Sequence, residues 1–495
     1  MYDKLLKTVT NLGSPQVLLA GDFMLDIYTY GDAVRISPEA PVPVLKVTET
    51  KYSCGGASSV AADLAALGAK AHCIGVVGDD QNGQTLKDLM AQGSIDTSGL
   101  LTVSDRPTIT KQRLIGLAQH RHQQQLFRID REITEPLGDT QNEKILQLFK
   151  DKLAHADIVC LQDYNKGLLS PMLCQQMIRL AKQAGKKILI DPSPGIDYSK
   201  YKDATAITPN RTETSLAVGY EIKTLENYAK ASKELSERLN LEAVVLTLDK
   251  EGAYLKTKTE NELIPTRPRN VYDVTGAGDV VLATLAVTIA GGCDYKTAVR
   301  LCNIAGGIEV EKFGVATVTI DEIVNEIISQ NRGRRGKILA IDSLLVELDW
   351  HRRQNETIVF TNGCFDVLHR GHIEFLKFCK NAGSVLVLGL NSDSSVKAIK
   401  GPDRPVNNQH DRAAVLAAME YIDYITIFDE PDPINLIKQV KPDVLVKGKD
   451  WEKKGVVGAD FVTGYGGKVL LAPLIEGKSS TATIEKMKSL SKKPI

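Results

Sequence analysis

Asp273-Val-Thr-Gly-Ala-Gly-Asp279 runs straight into an apolar stretch, Val280 to Ala290, that closes on Gly291-Gly292. The apolar stretch is long enough for three helical turns, and glycine is the residue that ends a helix. Gly276, Ala277 and Gly278 therefore fall where the backbone turns into the helix. Their N–H groups lack intrahelical partners and point out of its positive end, which makes an anion hole. Small residues let a phosphate approach the backbone closely. A carboxylate at Asp279 would repel that phosphate, so it reads as a general base facing a substrate hydroxyl. A capping Asp after a Gly-rich turn is the alternative reading.

Working outward, 495 residues predict two or three domains. The charge is even, with 61 basic and 61 acidic residues, and does not argue for nucleic acid or an anionic membrane as partner. Eight cysteines without a C-x-x-C pair suggest reduced thiols in a cytoplasmic protein, not a disulfide frame or a zinc site. The start, Met1-Tyr-Asp-Lys4, reads as no signal peptide. The apolar run Val280 to Ala290 is well short of the ~20 residues a bilayer requires.

Before the motif, short β-type runs alternate with helical patterns. Val17–Ala20, Ile74–Val77, Ile158–Leu161, Ile188–Ile190 and Val244–Thr247 read as buried strands, and Ser170–Ala184 as an amphipathic helix. This predicts an α/β, doubly wound, largely parallel sheet whose site lies at the carboxyl ends of its strands. Polar groups follow those runs: Asp22 with Asp26 four residues on, Gly78-Asp79, Asp163-Tyr-Asn-Lys-Gly167, Asp191-Pro192 and Thr208-Pro-Asn-Arg-Thr-Glu213. Gly55-Gly56 opens a small-residue helix. Each group taken singly reads as a turn former.

Together these residues resemble the ribokinase-like sugar kinases over Val17 to Thr319. The resemblance implies that Asp279 deprotonates the accepting hydroxyl of a sugar and that Gly276, Ala277 and Gly278 hold the transferring phosphoryl group. It implies that ATP is the donor, that Asn210 and Glu213 organise Mg²⁺ through water, and that Asn303 lies near the adenine. Arg211 and Thr212, between the two magnesium residues, are placed on the nucleotide side. Asp22, Gly55, Gly56 and Arg35 are expected to bind the sugar. Lys166 reads as a phosphate contact or as a solvated lysine. Arg35-Ile-Ser-Pro-Glu-Ala-Pro-Val-Pro43 and Gln124–Asp130 resemble the heptose 7-phosphate kinase branch, and the proline-rich piece is expected in a small β lid over the sugar. His120 and His122 read as solvated lid residues. Ser59 and Asp63 stand where the branch usually has Asn, and Asp249 stands where it has a small residue.

Asn331-Arg-Gly-Arg-Arg-Gly-Lys337 breaks the pattern and reads as an exposed linker, followed by helical spacing over Ile338–Trp350. A nucleic-acid patch is the alternative for that basic run. The expected division is a kinase over 1–330, a linker and connecting helix over 331–356, and a second domain over 357–495. In the last, a strand at Thr357–Thr361 enters Asn362-Gly-Cys-Phe-Asp-Val-Leu-His-Arg-Gly-His372 and then a helix. Two imidazoles beside free N–H groups suit a triphosphate better than a metal, for which no third ligand lies near in sequence. Further strands and helices alternate: Val385–Gly389, Asp411–Met419, Tyr424–Phe428 and Val444–Val446.

This half resembles the cytidylyltransferase-like nucleotidyltransferases, with a Rossmann-like sheet. The resemblance implies that His369 and His372 stabilise the triphosphate in the transition state and that Lys400 and Lys447 neutralise phosphates. It places Ser480 and Thr481 at another helix start. The order of the two halves resembles the bifunctional heptose 7-phosphate kinase and heptose 1-phosphate adenylyltransferase family of ADP-heptose and lipopolysaccharide-core synthesis. That implies a cytoplasmic homodimer acting on small sugar phosphates and ATP, with a separate phosphatase between its two steps. A kinase for another phosphosugar with a nucleotide-sensing second half is the competing expectation.

Overall fold

The computed structural model describes residues 2–117, 124–267, 269, 275–312 and 316–473. His120, His122, Asp273, Ser480 and Thr481 lie outside the described residues. The chain divides into two compact units, Lys4–Ile327 and Ile328–Ile495, the latter joined by Met1–Asp3.

The first unit is built on a sheet of nine described strands. In spatial order they are Asn261–Ile264, Ala253–Lys256, Ala243–Thr247, Ala206–Ile207, Lys187–Asp191, Ile158–Gln162, Gln16–Gly21, Lys70–Gly78 and Asp96–Val103. Only Ala253–Lys256 runs against the others, pairing antiparallel with both its neighbours, and the remaining neighbours pair in parallel. Each strand expected from an apolar run is present, lengthened by a residue or more. Helices cover the faces, so Leu18, Val159, Ile188 and Val244 share a core with Phe149, Met177 and Ile178 from Asp139–Leu153 and Pro171–Gln183. That two-sided burial is why these strands read as continuous apolar runs. The predicted helix after the glycine motif spans Ala277–Ala290 and is buried from Asp279 to Ile289. It packs between Ala57–Ala66 and Tyr295–Glu309, which explains an apolar surface on all sides.

A second sheet forms the expected lid. Its strands are Pro43–Gly56, Phe23–Ile36, Ile109–Leu117 and Gln124–Arg131, in that order, with the middle two parallel and the outer pairs antiparallel.

The second unit carries five parallel strands: Tyr424–Phe428, Val385–Asn391, Ile358–Gly363, Val444–Gly448 and Lys468–Ala472. Two sequence expectations need correction here. Residues 331–335 end a helix, Ile320–Arg335, and are not an irregular linker; Arg and Gln favour helix and carry it through the glycine there. The helix Ile341–Arg353 does not merely connect. Leu344 and Leu348 sit in one core with Ile358, Phe360, Leu436 and Ile437. Just before it, Leu339 N–H and Lys337 C=O bond the edge strand at Ile425. The second unit therefore begins well before 357.

Two candidate phosphate-handling sites

In the first unit the chain winds one way from Gln16–Gly21 to its neighbours Lys70–Gly78 and Asp96–Val103, and the other way from Ile158–Gln162. The crevice between Gln16–Gly21 and Ile158–Gln162 is a topological switch point, where open α/β sheets bind ligands. Asp22 N–H bonds Gln162 C=O at 3.2 Å across it. The carboxylate of Asp22 accepts the N–H groups of Tyr164 (2.9 Å) and Lys166 (3.1 Å) and is 3% exposed. Burial, and then the charge of Asp163, push its pKa up to about 6.

Asp279 lies in the first turn of Ala277–Ala290 and is 4% exposed. Its Oδ1 accepts Tyr164 Oη–H at 3.0 Å and Gln162 Nε2–H at 3.0 Å, while the same Gln162 amide reaches Asp191 Oδ2 at 2.8 Å. Burial chiefly, then Asp191, pushes the Asp279 carboxyl up to about 7, against hydrogen bonds from Tyr164 and Ser59. A carboxylate poised near neutrality suits a general base. Gly276 adopts φ 97°, and a Cβ there would fall 2.3 Å from Glu309 Oε1; one on Gly278 would lie 3.7 Å from Asp191 Oδ2. The helix start that could hold phosphate is thus ringed by carboxylates.

Asn210 and Glu213 form a reciprocal capping box: Asn210 Oδ1 accepts Glu213 N–H at 2.9 Å and Glu213 Oε2 accepts Asn210 N–H at 2.8 Å. This gives both a structural task. Glu213 is nonetheless pushed up to about 8, by burial and then Asp191, and Asp191 by burial to about 6. Neither forms an ion pair with a Lys or Arg among the described residues. A dication fits beside such a pair, and Mg²⁺ needs only one or two carboxylates when phosphates and waters complete its shell. No group of three or more His, Cys, Asp or Glu forms a cage among the described residues.

Other expected residues fare differently. Gly55 and Gly56 sit where a Cβ would meet Asp26 Cγ at 2.8 Å and Asp22 O at 2.7 Å, so their smallness serves close packing at the lid hinge. Arg35 is exposed at the far end of a lid strand. Lys166 is neither free nor solvated, since Glu132 pairs with it at 2.8 Å. Asn303 donates to Ile264 C=O at 2.8 Å. Thr212 is exposed on the first turn of Arg211–Val218. Arg211, expected on the nucleotide side, is engaged by groups of its own unit. Its guanidinium reaches Glu251 (2.7 Å), Asp249 (3.3 Å), Tyr228 Oη (2.7 Å) and the carbonyls of Ile222 and Leu248. Asp249, odd by the kinase pattern, is explained by that pair. Sequence reasoning assigned no role to Gln162, whose only signal was a polar residue closing an apolar strand, and marked Tyr164 only as part of the polar group 163–167 that follows it.

The second unit repeats the arrangement. Its switch point lies between Ile358–Gly363 and Val444–Gly448. Lys447, at the end of the latter, is 4% exposed and donates to Asn362 C=O at 3.3 Å and to its side-chain oxygen. Burial lowers its pKa to about 8. His369 caps the helix Arg370–Lys380, and His372 follows in its first turn. The two rings stack with centroids 3.9 Å apart. His369 N–H donates to His372 Nδ1 at 3.3 Å. Burial, His369 and Lys400 lower the His372 pKa to about 4. His372 is therefore neutral with Nδ1 accepting, which leaves its proton on Nε2. Lys400 ends the helix Asp393–Lys400 and is exposed. Arg404 pairs with buried Asp366, and Arg412 bonds Asp393 (2.7 Å) and the carbonyls of Cys364, Asn391 and Asn407, so both order the surrounding loops.

Residues 15–322 match the model of the pfkB family carbohydrate kinases, and residues 360–469 that of the cytidylyltransferase-like family. Over 471 residues the chain is 42% identical to the "Bifunctional protein HldE" of Geobacter metallireducens, covering 95% of each. It is 42% identical over 473 residues to that of Helicobacter pylori, covering 96% of this chain and 98% of the relative. Among solved structures, Escherichia coli phosphofructokinase-2 in complex with fructose-6-phosphate aligns with TM-score 0.54 and 20% identity, over 64% of this chain and all of that one. Arabidopsis thaliana ribokinase complexed with ribose and ATP aligns with TM-score 0.51 and 19% identity, over 63% and 99%. These structures share the fold of the first unit.

Proposed function

The chain belongs to the family of the bifunctional HldE proteins, in which a carbohydrate kinase and a nucleotidyltransferase share one polypeptide, and from that premise we propose that it performs two steps toward ADP-heptose. The first unit phosphorylates the anomeric hydroxyl of D-glycero-D-manno-heptose 7-phosphate with ATP. The second joins heptose 1-phosphate to the adenylyl group of ATP and releases pyrophosphate. The observation that carries the reading is a full-length likeness in which each unit keeps its charged groups at a helix start beside a switch point.

In the kinase step Asp279 takes the proton of the accepting hydroxyl. Ser59, Gln162 and Tyr164 orient its carboxylate, and the N–H groups at Gly276, Ala277 and Gly278 receive the transferring phosphoryl group. Glu213 and Asn210, with Asp191 nearby, are the residues that would hold Mg²⁺, which would supply neutralisation of phosphate charge. Phosphoryl transfer asks for positioning and charge balance more than covalent chemistry. In the second step the sugar phosphate is already an ionised nucleophile, so no general base is required. His372 donates from Nε2, and His369, Lys400 and Lys447 stabilise the charge developing on the leaving pyrophosphate. Asn210, Glu213, Thr212 and Asn303 serve the nucleotide of the first site, and Ser480 and Thr481 that of the second. Asp22, Gly55 and Gly56 shape the sugar side. Arg35, exposed on the lid, and Lys166, paired with Glu132, contact it only if they move.

A homodimer is supported by the outer lid face, where Phe127, Ile129, Val47 and Tyr52 are 58%, 52%, 56% and 46% exposed. No helix among the described residues is long and apolar enough to cross a membrane. The kinase product carries phosphate at both ends, and a site for a neutral sugar end would have to desolvate the second phosphate unpaired. A separate phosphatase therefore acts between the steps. Incubating the full chain with ATP, Mg²⁺ and heptose 7-phosphate should accumulate the 1,7-bisphosphate, with ADP-heptose appearing only on addition of phosphatase. Asp279→Asn should lower kinase turnover by about 10²–10⁴-fold and spare adenylyl transfer. Loss of both activities together, or ADP-heptose without added phosphatase, would refute the scheme.

A further inference from the structure

Lys447 lies next to last in the strand Val444–Gly448 as a buried cation, and it forms no ion pair among the described residues. A lysine ammonium has three N–H donors. Asn362, near the end of the neighbouring strand Ile358–Gly363, takes two of them, one through its backbone C=O at 3.3 Å and one through its side-chain oxygen. The titratable groups around it offer little else. Cys379, on the helix Arg370–Lys380, and Cys364, just beyond Ile358–Gly363, are thiols whose pKa burial pushes up, so both are neutral. Asp450 acts on the charge but is itself exposed.

The further partner is an aromatic face. After Gly448 the chain enters a single 3₁₀ turn, Lys449–Trp451, and stays tight: Glu452 N–H bonds Lys449 C=O at 3.1 Å and Lys454 N–H bonds Trp451 C=O at 3.2 Å. The turn brings the half-buried indole of Trp451 back to its own strand, with Lys447 Nζ 5.3 Å from the ring centroid. Lys454 Nζ lies 5.9 Å from the same ring, but that side chain is exposed. The negative face of an indole attracts a cation, and most strongly where both are out of water. Of the two ammoniums, Lys447 meets that condition. A lysine stem also loses much rotamer freedom when it is fixed. A charge that must meet a phosphate at a set place therefore needs more than one contact.

We propose that Trp451 is a positioning residue of the second reaction, its indole and Asn362 together holding the Lys447 ammonium in place and charged, with one N–H left for the triphosphate. This rests on the reading of the second unit as an adenylyltransferase and adds to it a residue that touches neither substrate nor reacting atom. The charged form of Lys447 is the one that acts, so transfer is lost as pH rises through its pKa, which burial has lowered to about 8. Taking away the indole removes an attraction felt by the charged form alone. The pKa then falls further, by about 1–1.5 units for a desolvated cation over an indole.

The test follows pyrophosphate release from ATP and heptose 1-phosphate between pH 6.5 and 9.5, in full-length wild type, Trp451→Leu and Trp451→Phe. Ionisation of the substrates is common to all three and cancels in the ratios. Trp451→Leu keeps apolar bulk without the π face. Its kcat/KM for ATP should stay within about threefold of wild type at pH 6.5 and fall about 10-fold below it at pH 8.5, with the alkaline limb moved down. Trp451→Phe, which keeps an aromatic face, should recover part of the shift. Thermal unfolding reports that each variant is folded. A loss of one size at every pH would make Trp451 a packing residue and overturn the proposal, as would an unmoved profile. Tryptophan emission against pH, in wild type and Lys447→Met, reads the contact apart from turnover; the second tryptophan, Trp350, is common to both chains. Wild type should show a transition near pH 8 that Lys447→Met abolishes. That result in a chain without adenylyl transfer would keep the contact and overturn the adenylyltransferase reading. Adenylyl transfer with emission indifferent to Lys447 would do the reverse.

Discussion

Tyr164→Phe should move the acid limb of the kinase pH profile upward without removing any group that touches the transferring phosphoryl. Tyr164 Oη–H donates to Asp279 Oδ1 at 3.0 Å, inside a site where that carboxyl is already held at about 7 by burial and Asp191. The donated bond favours the charged form, so its loss raises the pKa further. A hydrogen bond to a charged group contributes about 1.5–3 kcal/mol, and 1.36 kcal/mol corresponds to one pKa unit. The limb should therefore shift up by about 1–2 units. A base acts deprotonated, so activity falls as pH drops through its pKa. At pH 7 the variant should lose about 10-fold or more in kcat/KM, and most of that should return by about pH 9. The measurement is ADP release against pH from 5.5 to 9.5, with adenylyl transfer followed in parallel. A loss of the same size at every pH would refute the reasoning and make Tyr164 a packing residue. An unmoved limb would separate it from Asp279.

Three further outcomes are expected. His372→Ala should lower adenylyl transfer by about 10²–10³-fold with the kinase rate intact; in the wild type, a His372 pKa of about 4 means its titration leaves that rate level from pH 5.5 to 8. Thermal stability of the first unit without Mg²⁺ should fall as pH rises from about 4 to 8. Asp22, Asp191, Asp279 and Glu213 hold protons in the folded state that the unfolded chain has released, so unfolding becomes easier across that window. Scanning calorimetry should show Mg²⁺ flattening the slope, and a flat profile without metal would contradict the shifts. A fragment beginning at 357 should be insoluble or molten, because it lacks Leu344 and Leu348 from the core around Phe360, whereas one beginning at 336 should stay folded and active. Equal solubility and circular dichroism for the two would refute that.

The elements with periodic apolar burial were legible in the sequence. Val17–Ala20 or Val244–Thr247 could be read as strands because both faces of the sheet are covered, and Ala277–Ala290 because glycines bracket it. The order of strands followed less directly, since register across Gln16–Gly21 and Ile158–Gln162 joins residues more than a hundred positions apart. Ile341–Arg353 was legible as a helix but not as core, because amphipathic spacing states that a face is buried and not against what.

What the sequence concealed about the site was the partner of each polar group. Arg211 was expected on the nucleotide side, yet it spends its guanidinium on a carboxylate from a distant stretch, Glu251, as Arg404 does on Asp366. A cation whose donors are already satisfied gains little from a phosphate, since it must first break a charged pair that is partly desolvated. Lys111 is the converse. Nothing in Thr110-Lys-Gln-Arg113 marks it, and only the register of three strands sets its ammonium over Tyr164, close enough for Asp26 and Asp279 to act on its charge although neither forms an ion pair with it. Availability for a ligand is thus decided by pairing across the fold. A charged residue near a motif is a strong candidate only when the groups around it leave its charge uncompensated.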